Sequence, residues 1–224
     1  MDKKTALDTP IFTLPDGQPI AAELVEADLC ARVTRWEAAL EDAVWQLARF
    51  YSMVGRPGDS TACVTRLLVG TPDPGKHAAG YLALGQLLEQ QRRYAEAAVA
   101  YATGLEGRPA RGEVGYFLHN NRGYCLNHLG QHIEAEIHCR TAIEIDPRRH
   151  NAHKNLGLAL AGQGRVGEAA RALLEADGRC PADGRARWHL AELLAAHAEV
   201  LQDNPALASK CRERGLRIGP VGNA

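Results

Sequence analysis

The chain has 224 residues, of which 46% are hydrophobic, 24% charged and 5% aromatic, and its formal net charge is −1. This length and apolar content allow a buried core and exclude a wholly disordered chain. The balance of 26 basic and 27 acidic residues, together with the few aromatic side chains, argues against a nucleic-acid partner. No stretch of about 18 uncharged apolar residues occurs, so no membrane-spanning segment is expected.

The first 40 residues differ in character from the rest. Residues 1–20 begin with Met1-Asp2-Lys3-Lys4 and continue without the apolar stretch of a secretory signal. Pro15-Asp16-Gly17 lies between apolar residues and predicts a turn, so this segment is expected to be an extended arm or hairpin, with disorder as the alternative. Residues 21–40 predict a helix. The six cysteines form no C-x-x-C pair, which indicates reduced thiols and a cytoplasmic location.

A repeat of 34 residues organises the middle of the chain. When 116–149 is aligned with 150–183, nine positions are identical. About two or three would be expected by chance from ordinary composition. The identical pairs are His119/His153, Asn121/Asn155, Gly123/Gly157, Leu126/Leu160, Gly130/Gly164, Glu134/Glu168, Ala135/Ala169, Ala142/Ala176 and Pro147/Pro181.

Each block has the pattern of two helices joined by a tight turn. In the last block, Ala152 to Gly162 predicts one helix and Gly167 to Ala176 another. Gly164 can adopt the positive φ that ends the first helix, and Pro181 ends the block. Helices this short are not stable alone, so neighbouring blocks are expected to stack.

These features resemble the tetratricopeptide repeat. The block 78–111 matches that pattern best but departs from it with Arg92 at the turn and Gly104 in the second helix. The resemblance implies an all-α fold, a right-handed α-solenoid of stacked helix-turn-helix repeats. The matching residues of this block are Tyr81, Leu84, Gly85, Leu88, Tyr94, Ala97, Tyr101 and Pro109.

The repeats are expected to cover residues 41–183. They comprise a degenerate copy at 41–74, in which Pro57 and Ser60 depart from the pattern, followed by 78–111, 116–149 and 150–183. Residues 184–217 predict a C-terminal capping helix pair, with one long helix from Arg185 to Gln202 and its partner from Ala206 to Leu216. Residues 218–224 are a tail.

The resemblance also implies where a partner would bind. In this family the first helices of successive repeats line a concave groove. Asn121 and Asn155 occupy equivalent positions in two such helices, and a side-chain amide can both donate to and accept from a peptide backbone. The alternative is a hydrogen bond between repeats that only fixes their stacking.

Further side chains are expected along the same groove. A carboxylate clamp of several cations, which some family members use, is not expected, because only Lys154 stands in such a place. Leu82 occupies another of those places. The other side chains expected to contact a peptide are Asn120, Tyr124, Asn127, Asn151, Gln86 and Arg49.

Two glycine-rich segments match nucleotide-binding spacings but lack the required context. Residues 70–76 have P-loop spacing, yet His77 stands where a magnesium-binding Ser or Thr is needed. Residues 162–167 match a dinucleotide motif, yet they follow a predicted helix instead of a β-strand. Both are interpreted as loops of the repeat.

Other reactive residue types are also interpreted as structural. Gly130 separates His128 from His132, so the two are not expected to share a helix face, and no third metal ligand is evident. Cys125 and Cys139 are predicted to pack in the core. His138 is expected on an outer helix without a role. The basic residues Lys210, Arg212, Arg214 and Arg217 are interpreted as a solvated face near the end of the last helix.

The sequence therefore predicts a non-catalytic adaptor that binds a protein or an extended peptide, without cofactor or metal. One alternative is a self-associating structural module in which the N-terminal arm of one chain fills the groove of another. A second, less favoured alternative is an enzyme, since no cluster of nucleophile, base and oxyanion donors is recognisable.

Overall fold

All regular elements in the described part of the chain are helical. The computed structural model describes residues 22–69, 74–106 and 112–216. The all-α prediction is confirmed. The helices are α1 (Ala22–Met53), α2 (Pro57–Leu68), α3 (Pro74–Gln90), α4 (Tyr94–Gly104), α5 (Gly112–His128), α6 (His132–Ile145), α7 (His150–Gly162), α8 (Val166–Arg179), α9 (Arg185–Ala196), α10 (Glu199–Gln202) and α11 (Pro205–Glu213), with a short 3-10 turn at Pro181–Asp183.

The chain divides into two compact units, residues 1–63 and 64–224. In the second unit, α3 packs against α4, α5 against α6 and α7 against α8. Each pair then contacts the next, through α4 with α5, α6 with α7 and α8 with α9. This arrangement is the predicted stack of helix pairs.

Glycines in the first helices allow the close approach of the paired helices. A Cβ atom on Gly157 would lie 2.6 Å from Leu173 Cγ, and one on Gly123 would lie 2.7 Å from Cys139 Sγ. A Cβ atom on Gly85 would lie 2.3 Å from the Tyr101 ring. The recurring small residue is therefore required by contact with the second helix of the same repeat.

The turns within the repeats share one geometry. Gly130 and Gly164 both have φ of +74°, and the next amide in each case donates to a carbonyl five residues earlier in the chain. Arg92 holds the equivalent position between α3 and α4 with φ of +59°, and it is the one non-glycine residue with positive φ in the described ranges. The predicted role of glycine at these turns is confirmed, and Arg92 adopts the same conformation with a side chain.

We expect Arg92→Gly to stabilise the protein by about 1 kcal/mol. A side chain in the left-handed region costs about 1–2 kcal/mol, and part of the gain from removing it is lost because glycine increases the conformational entropy of the unfolded chain. Arg92 is exposed, so little packing is lost. Urea unfolding followed by circular dichroism measures the change. Arg93→Gly is the matched control, because Arg93 has φ of −83° and binds Glu96, and that variant should be destabilised.

The C-terminal helices differ from their prediction. The expected helix from Arg185 to Gln202 is interrupted after Ala196, and its remainder forms the short α10. The break turns the chain so that α11 packs against α8 and α9. The shared apolar cluster contains Leu174, Leu190, Leu201, Leu207 and Cys211. A cap on the last repeat is thus present, built from three helices instead of two.

In the first unit, α1 is longer than predicted. It runs unbroken from Ala22 to Met53, past residue 40 where the sequence placed a boundary. Gly55 has φ of +73° and makes the turn to α2. The hydroxyl of Ser60, which departs from the repeat pattern, is buried and donates to the Ala48 carbonyl at 2.8 Å, joining the two helices.

Candidate functional site

A chain of side-chain hydrogen bonds crosses the first helices of the second unit. Glu89 at the end of α3 accepts from the Tyr101 hydroxyl at 2.9 Å. Asn121 on α5 donates to the same hydroxyl at 3.5 Å and accepts from Asn120 at 2.9 Å. Asn120 in turn accepts from Asn155 on α7 at 3.0 Å. Three successive repeats are thereby joined through polar side chains.

Asn155 does not lie where the sequence analysis placed it. Its side chain is only 2% exposed, and its amide donates to the side chain and the carbonyl of Asn120. Asn120 is buried as well, and the Asn127 amide donates to the Asn155 carbonyl at 2.8 Å. The prediction that Asn155 and Asn120 face a partner is wrong, because both side chains lie between α5 and α7 and join them. Asn127 is half-buried and makes a contact of the same kind.

Other predicted residues remain accessible. Asn121, Tyr124 and Asn151 are half-buried, Leu82 is half-buried and Gln86 is exposed. Tyr124 packs against Tyr94 and His128 at ring distances of 6.1 and 4.5 Å. Burial raises the pKa of Tyr124 to about 12, with a further contribution from a hydrogen bond to Tyr94, so its hydroxyl is protonated at neutral pH. Arg49 is exposed but belongs to the first unit, on α1.

Lys154 combines charge with burial. Its side chain is 7% exposed, and among the residues that the structure describes it makes no hydrogen bond or ion pair. Burial lowers the pKa of its ammonium, and the positive charge of Arg185 lowers it further, while Asp183 and Glu89 act in the opposite direction. The aliphatic part of the side chain is buried, whereas its Nζ is not among the fully buried polar atoms that lack a partner, so the ammonium keeps some contact with solvent. The repeat pattern predicted Lys154 in the groove but not its burial.

Three neighbouring residues were missed by the sequence analysis. Arg185 and His189 lie one turn apart on α9, and both interact electrostatically with Lys154. Glu89 is half-buried, and its pKa is raised, mainly by burial. One signal could have found Glu89, because it follows Gln86 by one helical turn on the same side of α3. Glu89, Asn121, Tyr124, Lys154, Arg185 and His189 are hereafter called the polar row.

A histidine pair joins the two helices of one repeat. His119 Nδ1 on α5 lies 2.9 Å from His138 Nδ1 on α6. Burial, Arg122 and His119 together lower the pKa of His138 to about 4, and burial and Arg122 lower the pKa of His119. His138 lies on α6, the second helix of its repeat, as expected, but its contact with His119 on α5 was not predicted. The identity of His119 and His153 was visible in the repeat, but the pairing was not.

The motifs with apparent catalytic spacing take structural positions. Residues 162–167 span the turn from the end of α7 to the start of α8, as predicted. Gly130 separates His128 at the end of α5 from His132 at the start of α6. No group of three or more metal-ligating side chains occurs in the described ranges. Residues 70–73 of the P-loop-like segment, and Arg217, lie outside those ranges.

The cysteines of the central repeat belong to the core. Cys125 and Cys139 are fully buried, and burial raises the pKa of each thiol to about 12. Thiols with so high a pKa are inert as nucleophiles at neutral pH. The predicted packing role of both cysteines is confirmed.

The basic residues Lys210, Arg212 and Arg214 are exposed, in agreement with the predicted solvated face.

Residues 118–149, which span most of α5 and all of α6, match the sequence profile of the tetratricopeptide repeat. These residues form a tetratricopeptide repeat. No curated protein sequence matches the chain significantly. No helix in the described part of the chain is long and apolar enough to cross a bilayer.

Solved tetratricopeptide-repeat structures share the fold. MamA residues 41-end from Desulfovibrio magneticus RS-1 superposes with a TM-score of 0.61 at 16% identity, covering 77% of this chain and 96% of that one. YrrB, described as a TPR protein with an unusual peptide-binding site, gives a TM-score of 0.54 at 17% identity, with coverages of 77% and 91%. At these identities the likeness concerns the fold.

Proposed function

We propose that this protein is a non-catalytic adaptor that binds an extended segment of another polypeptide along the polar row. Tetratricopeptide-repeat proteins act in general as protein-interaction modules, and one structural neighbour is described as having a peptide-binding site. The half-buried amide of Asn121 and the hydroxyl of Tyr124 can bond to a peptide backbone without reading its sequence.

Lys154 is the observation that carries the proposal. A largely buried lysine without a direct partner loses part of its hydration, and an anionic group of a ligand would compensate for that loss. Arg185 on the neighbouring helix, which forms an ion pair with Asp183, lies close to it. The segment that binds therefore carries an acidic group, which would lie near Lys154 and satisfy its charge.

The alternative is that residues 1–20 of one chain occupy the groove of another, and those residues lie outside the described ranges. They carry three acidic side chains, Asp2, Asp8 and Asp16, beside Lys3 and Lys4. An acidic ligand group is therefore compatible with this arm as well as with a foreign segment.

We expect Lys154→Met to abolish capture of partner polypeptides while leaving the free energy of unfolding unchanged or raising it by up to about 2 kcal/mol. Methionine keeps the volume of the side chain and removes an unpaired, largely buried charge, a change that is often neutral or stabilising. Capture from native cell lysate on immobilised protein, quantified by mass spectrometry, measures binding, and urea unfolding measures stability.

Lys210→Met is the matched control, because it removes the same charge from the exposed face of α11. The proposal is supported if some polypeptides bind both this control and the unaltered chain but not Lys154→Met, and if salt releases them. Equal capture by all three proteins would refute it. A Lys154→Met variant that is strongly destabilised would show that the ammonium has a structural role instead.

A further inference from the structure

An apolar stripe runs along α1 in the first unit and is open to solvent. Trp36 is 67% exposed, Leu40 64% and Phe50 53%, although these are among the largest apolar side chains of the protein. Monomeric proteins seldom leave so many neighbouring large apolar side chains in water. The α1 stripe consists of Trp36, Leu40, Ala43, Leu47 and Phe50 of α1 and of Val54 directly after the helix, all of them exposed.

The spacing of the α1 stripe is that of a coiled-coil seam. Its successive members are separated by 4, 3, 4, 3 and 4 residues, so that Trp36, Ala43 and Phe50 lie seven residues apart, as do Leu40, Leu47 and Val54. A seven-residue apolar repeat keeps a seam in contact with a second helix as the two wind around each other. A face that packs on a globular core is usually broader than this narrow row.

The helix uses a different side for its own packing. Ala48 is buried, and its carbonyl accepts the hydroxyl of Ser60 on α2. Ala48 follows Leu47 by one residue and is therefore rotated by about 100° from it around the helix. The α1–α2 contact thus leaves the α1 stripe unused.

The apolar area of the α1 stripe amounts to most of what one partner buries in a standard interface. Large side chains expose about 150–250 Å² each when they are free, so the α1 stripe offers on the order of 600 Å² of apolar surface. Standard protein interfaces bury about 800 Å² per partner, including their polar rim. A seam of this size is sufficient for one dimer interface.

The side-chain sizes along the α1 stripe are self-complementary in one orientation. When two copies run antiparallel about a two-fold axis at the level of residue 45, Trp36 faces Val54 and Leu40 faces Phe50 of the second copy. Ala43 then faces Leu47 of that copy. Each larger residue meets a smaller one, as close packing requires. A parallel pair in register would instead place Trp36 against Trp36 and leave a gap at Ala43.

We propose that α1 pairs with α1 of a second copy of this chain as an antiparallel two-stranded coiled coil through the α1 stripe. The contact is isologous, since the same surface is used on both copies. The polar row belongs to the other unit. This inference does not depend on the proposed function.

Analytical ultracentrifugation of the full chain tests the pairing. We expect a reversible dimer for the unaltered protein between about 1 and 100 μM. Leu40→Glu with Leu47→Glu places charges in the seam and should raise the dimer Kd at least about 100-fold. The matched control, Ala31→Glu with Ala38→Glu, adds the same charges at exposed positions outside the stripe and should remain dimeric.

A monomer at all concentrations, or a dimer that survives the seam variant, would overturn the proposal. If the seam variant lost its helical circular dichroism, hydrogen exchange of the unaltered chain decides instead. Amides of residues 36–54 should exchange more slowly at high than at low protein concentration. Exchange that is independent of concentration would count against pairing.

Disulfide trapping tests the orientation. In a chain carrying Cys30→Ser, a mixture of Ala43→Cys and Leu47→Cys proteins should form a mixed disulfide, because these positions face each other in the antiparallel pair. Ala43→Cys alone should not cross-link efficiently. Efficient cross-linking of Ala43→Cys to itself would exclude the antiparallel arrangement.

Discussion

Replacing Gly157 by alanine is expected to destabilise the protein by about 2–3 kcal/mol. The added methyl group would lie 2.6 Å from Leu173 Cγ, 2.8 Å from Leu173 Cδ2 and 3.2 Å from the Ala169 carbonyl oxygen. Leu173 is 1% exposed and belongs to the core, so α7 and α8 must separate to accommodate the methyl group. Overpacking of this kind typically costs about 1–3 kcal/mol and outweighs the gain in helix propensity.

Urea unfolding measures this cost, and two further variants identify its cause. Gly167→Ala lies in the same repeat, where the nearest atom to an added Cβ is 3.6 Å away, so it should be neutral or slightly stabilising. In a Leu173→Ala background, the cost of Gly157→Ala should nearly vanish, because the space it needs is then empty. Additive costs in the double variant would show that the helices do not meet at this point.

Acidification from about pH 7 to pH 5 is expected to destabilise the protein through the His119–His138 pair. The native state holds the pKa of His138 near 4, below the ordinary value of about 6.5, mainly because the imidazole is buried. The unfolded chain therefore takes up protons first as the pH falls. The neutral, buried imidazole contributes fully to the free energy of unfolding above pH 6.5, and this contribution is lost progressively as the pH falls towards 4. For the pair we expect a loss of about 2 kcal/mol by pH 5.

The measurement is urea unfolding at several pH values between 7.5 and 5. The variant carrying His119→Gln and His138→Gln cannot take up these protons, so its free energy of unfolding should vary less with pH. The restriction to pH 5 avoids the titration of carboxylates such as Asp183, whose pKa is lowered chiefly by its hydrogen bond with Arg185. An unchanged pH dependence in the variant would assign the acid sensitivity to other groups.

The sequence was sufficient to predict the stacked helix pairs because the repeat imposes the same contacts each time. Gly123 and Gly157 meet the second helix of their own repeat in the same way, and Gly130 and Gly164 share a left-handed turn. These contacts lie within a repeat, so the periodicity of the sequence predicts them.

Contacts between repeats could not be predicted from the equivalence of positions in successive repeats alone. Asn121 and Asn155 are equivalent, but their neighbours differ. Asn155 meets the amide of Asn120, whereas the residue equivalent to Asn120 in the preceding repeat is the apolar Leu82. Asn121 therefore bonds to the Tyr101 hydroxyl instead and stays half-buried. The equivalent position thus holds a buried amide that bonds to the preceding repeat in one case and an accessible amide in the other.

The ends of the helices at the two termini of the array could not be predicted from the repeat pattern either. The repeat places α1 and its boundary near residue 40, but the sequence there contains no proline or glycine to stop a helix, and α1 continues. Conversely, α9 ends at Ala196 without such a residue, because the chain must turn for Leu201 and Leu207 to reach the cluster with Leu190. Tertiary packing decided both ends.

The closure of the last repeat by α9, α10 and α11 limits how the array could evolve. The apolar surface of α8 that would receive a further repeat is already covered by Leu207 and Cys211. A duplication added after α11 would meet a surface of charged side chains and could not continue the stack. Lengthening by internal duplication, between α4 and α7 for example, would preserve the closing helices and leave the array soluble.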